Sequence, residues 1–152
     1  MVILLLALTI SWILAAPAAA GPPVLLEAAR TLAENVLGPG QVRSVRATDD
    51  GSQILIRWES ATYRRANSVS ANRELMYGEA VLATNAILGQ LRQVARIRFT
   101  ILQGGHMLAT GESARERGLS LQFSSELGGG TYTPPDPKVD RRPATGGTAQ
   151  EI

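Results

Sequence analysis

Apolar residues along the chain recur first at helical spacing, then at every second position, and then repeat that order once. From Val24 to Leu37 the apolar positions Leu25, Ala28/Ala29, Leu32, Ala33 and Val36 follow a helical period, with Glu27, Arg30 and Glu34 off that face. Pro22-Pro23 suits the first turn of such a helix, and Gly38-Pro39-Gly40 ends it. Gln41–Thr48 and Gln53–Ser60 then read as strands, joined by Asp49-Asp50-Gly51-Ser52, whose Asp-Gly pair is a hairpin signal. In the second strand Ile54, Ile56 and Trp58 alternate with Leu55, Arg57 and Glu59. After a polar stretch, a second helix is expected to start near Ser68 or Ser70 and run to about Gln90. Its stripe is Met76, Ala80, Ala83, Ile87 and Leu91, broadened by Leu75, Leu82 and Ala86. Arg96–Gln103 returns to alternation, with Ile97, Phe99 and Ile101 on one face and Arg96, Arg98 and Thr100 on the other. Gly104-Gly105 makes a tight turn, and His106–Ser113 runs back.

The two halves echo each other. Gln41-Val42, Val45-Arg46 and Thr48 recur as Gln93-Val94, Ile97-Arg98 and Thr100. Leu32-Ala33 recurs as Leu82-Ala83, Leu37-Gly38 as Leu88-Gly89, and Glu59-Ser60 as Glu112-Ser113, so the offset drifts only from 50 to 53 residues. The expected fold is therefore α+β: two tandem helix-strand-strand units, 24–60 and 76–113, within a domain of residues 22–123. They are expected to form a four-stranded, mostly antiparallel sheet with two helices on one face and the other face wet. Leu119–Phe123 has the pattern of a short additional edge strand.

The ends read differently. Val2–Leu14 is apolar apart from Thr9 and Ser11, and Ala18 and Ala20 fit a small-x-small cleavage pattern with Gly21 as the first mature residue. Residues 1–20 are thus expected to be a signal peptide or an N-terminal membrane anchor, which places the domain outside the cytoplasmic membrane: secreted, periplasmic or anchored. An apolar run of about 15 residues before Pro17 is short for a bilayer span, which favours cleavage. From residue 124 to 152 glycine, proline, threonine and charge prevail, and a disordered C-terminal tail is expected.

Composition removes several function classes. There is no cysteine, hence no disulfide, thiol nucleophile or thiolate metal site. The net charge is +2, and all the basic residues but Lys138 are arginine; nucleic-acid binding is not expected from so small a surplus. His106 is the single histidine and sits in a turn. No phosphate-binding loop, dinucleotide fingerprint or nucleophile elbow is present, so neither a metal, a cofactor nor a catalytic residue is assigned. Glu59 and Glu112, which end equivalent strands, are a conceivable carboxylate pair, although duplication explains their recurrence equally well. If Val45, Ile56, Ile97 and Phe99 face the helices, then Arg46, Arg57, Arg96 and Arg98 face outward as a basic platform, with Glu59 as partial relief and Arg64 and Arg65 beside Tyr63 as an extension. Such a platform suits membrane headgroups or an acidic protein surface; self-assembly is the other use of an exposed face. The expectation is an exported, non-enzymatic binding or assembly domain of the cell envelope. The alternative is a small-ligand-binding or enzymatic domain with a pocket between helices and sheet, lined by Trp58, Tyr63, Tyr77 and Glu79.

Overall fold

The computed structural model describes residues 22–134; the expected signal or anchor at 1–20 lies outside them. The first helix, α1 (Pro22–Leu37), stops where Gly38, at φ 101°, turns the chain and its N–H bonds back to the Glu34 carbonyl at 2.8 Å. Glycine enters this left-handed region without steric cost. The buried stripe of α1 is Leu25, Ala29, Ala33 and Leu37. That corrects the expected face by part of a turn: Leu32 is half-buried and Val36 exposed. The four buried residues recur every fourth position on one face, which packs toward the strand Val42–Ala47 and toward α2 (Val69–Gln90), itself burying Ala80 and Ala83. The helices lie antiparallel, Val24 near Gln90 and Leu91, and Val36 near Leu75. Helix α2 begins at Ser68, whose hydroxyl accepts the Ala71 N–H at 3.1 Å, the usual way to satisfy a free first-turn amide.

Five strands form one sheet in the order β1-β2-β3-β4-β5. They are β1 (Val42–Ala47), β2 (Gln53–Glu59), β3 (Arg96–Gln103), β4 (His106–Ala114) and β5 (Gly118–Phe123). The α+β class and the helices on one face stand; the four-stranded sheet does not. The expected optional edge strand is β5, antiparallel to β4, and the central pair β2–β3 is parallel. The cause is the connection. Helix α2 carries the chain back along the sheet, so β3 starts at the same end as β2, as a helical crossover between neighbouring strands requires. One consequence concerns the echo in the sequence. The first strands of the two echoed units, β1 and β3, run antiparallel to each other across β2.

The sheet's inner face is the core. Ile54, Ile56, Trp58, Ile97 and Ile101 are at most 1 % exposed, and α2 covers them with Met76, Ala80 and Ile87. Phe99 stacks on Trp58 with ring centroids 5.1 Å apart, and Gly111, directly opposite on β4, leaves room for its ring. The stretch expected to begin a disordered tail at 124 is ordered through Tyr132. A 3-10 turn at Ser125–Leu127 buries Leu127, Gln122 bridges to Thr131, and Tyr132 packs on Tyr77 and Phe123. Aromatic contact supplies what the glycine-rich composition concealed. The rest of the expected tail, 135–152, lies outside the described residues.

Candidate functional site

Strand register arranges the outer sheet face in rows. Ser44, Arg57, Thr100 and Thr110 are successive partners across β1, β2, β3 and β4. The next row is Arg46, Leu55, Arg98 and Glu112. Inward and outward positions alternate, so these side chains share the face away from the helices. Arg46, Arg57, Arg98 and Leu55 are exposed, and with Ser44, Thr100 and Thr110 they line a groove of about 400 Å³.

The arginines differ in their company. Arg96 and Arg98 share Glu112, at 3.4 and 3.2 Å. Two guanidiniums against one carboxylate leave a positive remainder. Among the described residues neither Arg46 nor Arg57 forms an ion pair. Glu59 is engaged elsewhere. Its carboxylate accepts the N–H groups of Gly104 at 2.8 Å and Gly105 at 3.2 Å and faces Arg43 at 3.4 Å, so it holds the β3–β4 turn. The relief on the platform comes from Glu112 instead. Nor do Glu59 and Glu112 meet: Glu59 lies beside Leu102, four positions along β3 from Arg98, which faces Glu112, a separation of roughly 13 Å along the strand. Arg64 turns onto its own loop, donating to the carbonyls of Ala61 at 3.0 Å and Tyr63 at 2.7 Å, while Arg65 is exposed.

The other four residues expected at a site are split between two places. Glu79, on α2 and 5 % exposed, accepts four hydrogen bonds: from Trp58 Nε1 at 2.6 Å, Ser60 Oγ at 2.9 Å, Thr62 Oγ1 at 2.7 Å and the Thr62 N–H at 3.1 Å. Tyr63 is next door, its N–H donating to Ser60 Oγ at 3.0 Å. Tyr77 is on another flank of α2, its ring 5.0 Å from that of Tyr132. Burial raises the Tyr132 hydroxyl above its ordinary range, helped by the nearby Glu74 carboxylate. Ser60 and half-buried Thr62 complete this network, and nearby the buried Asn72 separately bonds both the N–H and the carbonyl of Arg64. They were not singled out by sequence, although a glutamate on the stripe between Met76 and Ala83 signals that buried donors must converge there.

A carboxylate filled by the chain's own donors ties the β2–α2 connection to the helix and leaves little bonding capacity for a ligand. Beside this network, exposed Val36, Leu75 and Leu82 flank an open groove of about 730 Å³ that Thr62 and Glu79 also line. Among the described residues no helix is long and apolar enough to cross a membrane. Compared with protein-family models, with curated proteins and with solved structures, the chain matches none of them.

Proposed function

We propose that this chain is an exported, non-enzymatic binding or assembly domain of the cell envelope. The apolar residues 1–20 direct it across the cytoplasmic membrane, and the folded part works outside, secreted, periplasmic or anchored. The observation that carries the reading is how the polar groups divide. The buried Glu79 carboxylate is bonded by Trp58, Ser60 and Thr62. Arg46 and Arg57, which form no ion pair among the described residues, stand side by side on an open sheet face. A catalytic group needs contact with substrate and unfilled bonding capacity, whereas a binding domain needs an accessible surface of distinctive chemistry. The apolar strip of Val36, Leu75 and Leu82 is a second accessible surface of distinctive chemistry. The competing reading, a pocket between helices and sheet, gains nothing from an interface in which Trp58, Ile54, Met76 and Ile97 are all 0 % exposed.

The test is recovery of the full chain from its host by cell fraction, with intact mass, N-terminal sequencing and sizing in mild detergent. The expected result is an exported or membrane-held chain associated with a partner or with its own copies. That association is expected to be lost on Arg46→Glu with Arg57→Glu, or on Leu75→Ser with Leu82→Ser. A cytoplasmic monomer without partners, indifferent to both pairs of changes, overturns the reading.

A further inference from the structure

We propose that the groove on the outer sheet face is a site for a phosphate ester, held by Arg46, Arg57 and Arg98 over a floor of hydroxyls and Leu55. The inference rests on reading this face as the binding surface and goes further by naming the ligand's chemistry.

The geometry is a triangle. Arg46 and Arg98 are two strands apart with Leu55 between them, roughly 10 Å at ordinary strand spacing. Arg57 stands two residues further along β2, roughly 7 Å away. Three long, forked cations therefore surround one patch from three sides. Guanidinium is the side chain best matched to phosphoryl oxygens, since its fork donates two parallel hydrogen bonds and its charge is permanent. The row through Arg57 adds hydroxyl donors on both flanks, Ser44 on one and Thr100 and Thr110 on the other. A phosphoryl group offers three acceptor oxygens in a pyramid, which suits convergent donors better than the two coplanar oxygens of a carboxylate. The groove of about 400 Å³ holds more than the anion alone. Leu55, 41 % exposed at the centre of its row, offers an apolar surface for the carbon skeleton of the ester. Glu112 lies beyond Arg98 in the same row, where its charge restrains Arg98 and keeps the anion toward Arg46 and Arg57.

Two sources present this chemistry, a phospholipid headgroup and a soluble phosphate ester, and one experiment separates them. The full-length chain in neutral detergent is titrated with glycerol phosphate, with acetate as the carboxylate control, while chemical shifts of the Thr100 and Thr110 amides are followed. The chain is also mixed with phosphatidylcholine vesicles with and without phosphatidic acid, whose headgroup is a phosphate monoester. Saturable shifts with glycerol phosphate and none with acetate are expected if the source is soluble; retention only on the phosphatidic acid vesicles is expected if it is a headgroup. Either is expected to weaken by about tenfold or more in Arg57→Gln, which loses charge-assisted donors, and in Arg46→Gln. Both arginines are exposed and outside the core, and unchanged thermal melts of the two variants establish that the loss is local. Binding of acetate equal to that of glycerol phosphate, or binding unchanged in both variants, overturns the proposal. So does a lack of response to every phosphate probe. If in that case the host-derived chain still associates with a partner and loses it on reversal of Arg46 and Arg57, the binding-domain reading stands and only the phosphate assignment falls.

Discussion

Replacing Glu79 by alanine removes one acceptor from four donors at once, and the cost follows from which of those donors can reach water. Trp58 is 0 % exposed and Ser60 is buried, so Trp58 Nε1 and Ser60 Oγ lose their partner with no solvent to replace it. Thr62 is half-exposed and can turn outward. Each stranded buried donor costs about 1–3 kcal/mol. Against this, the variant no longer buries a carboxylate, whose desolvation opposes folding. The net expectation is a loss of about 3 kcal/mol, a large share of the 5–15 kcal/mol typical of a domain. Glu79→Gln keeps one acceptor but points an amide N–H₂ at donors, so it is expected to fall in the same direction by a smaller amount. Trp58→Phe strands the carboxylate's Oε1 and also leaves a cavity in the core, so it is expected to cost about 2–4 kcal/mol. Urea unfolding followed by circular dichroism gives the midpoints, and the slope of the transition is expected to stay constant. A double-mutant cycle between Trp58→Phe and Glu79→Ala is expected to show coupling, because the two share one hydrogen bond. If Glu79→Ala shifts stability by less than about 0.5 kcal/mol, as an ordinary surface change does, the network does not hold the β2–α2 connection and the argument fails.

Gly111→Ala is expected to destabilise by about 1–3 kcal/mol, because a Cβ there collides with the Phe99 ring, which Trp58 holds from its other face. By contrast Gly89→Ala, exposed near the end of α2 with open space around it, is expected to stabilise by about 0.5–1 kcal/mol in thermal melts. The Asp50 carboxyl is lowered from 3.8 to about 2 by the Thr48 hydroxyl, then by the Ser52 amide and hydroxyl. Its contribution to the β1–β2 turn is thus present above the ordinary value and fades as pH falls through about 2. An NMR titration of the Ser52 amide is expected to have its midpoint near that pH, and a midpoint at the ordinary value would remove these hydrogen bonds from the account. Glu59→Ala frees the amides of Gly104 and Gly105, so their hydrogen exchange is expected to speed up while that of the β1–β2 turn does not change.

What the chain discloses locally, it discloses well. The alternation of Ile54, Ile56 and Trp58 with Leu55 and Arg57 is reproduced in burial, as is that of Ile97, Phe99 and Ile101 with Arg98. Gly38 ends α1 and Ser68 caps α2, because glycine at positive φ and a serine hydroxyl at a free amide act within a few residues. The misses are non-local. A period of two says which way each side chain points but not which strand is the neighbour, so the parallel β2–β3 pair was not legible. The true face of α1 depends on its packing against α2, some fifty residues away in sequence, and against β1. Tyr132 looked like linker material because its partners, Tyr77 and Phe123, lie on other elements. A charge on the Met76–Ala83 stripe, Glu79, demands donors, but nothing local says that Ser60 and Thr62 supply them.

The same alternation explains why holding and presenting are separable here. Along β2 every second residue is committed to the core: Ile54, Ile56 and Trp58 cannot change without a cavity or a clash. The residues between them, Leu55 and Arg57, touch none of that packing, and neither they nor Arg46 is needed to satisfy a buried group. Salt links on the exposed face contribute little to stability, so arginines stand there at small structural cost, and their presence in three adjacent strands is not required by folding. The buried carboxylate obeys the opposite logic. Glu79 gives strength to a connection and is sealed by its own donors, so changing it alters the fold before it alters any surface. What the fold presents to solvent on this side therefore lies on the outward rows of the sheet, and the packed interior keeps β1, β2 and β3 in the register that sets Arg46, Arg57 and Arg98 around one spot.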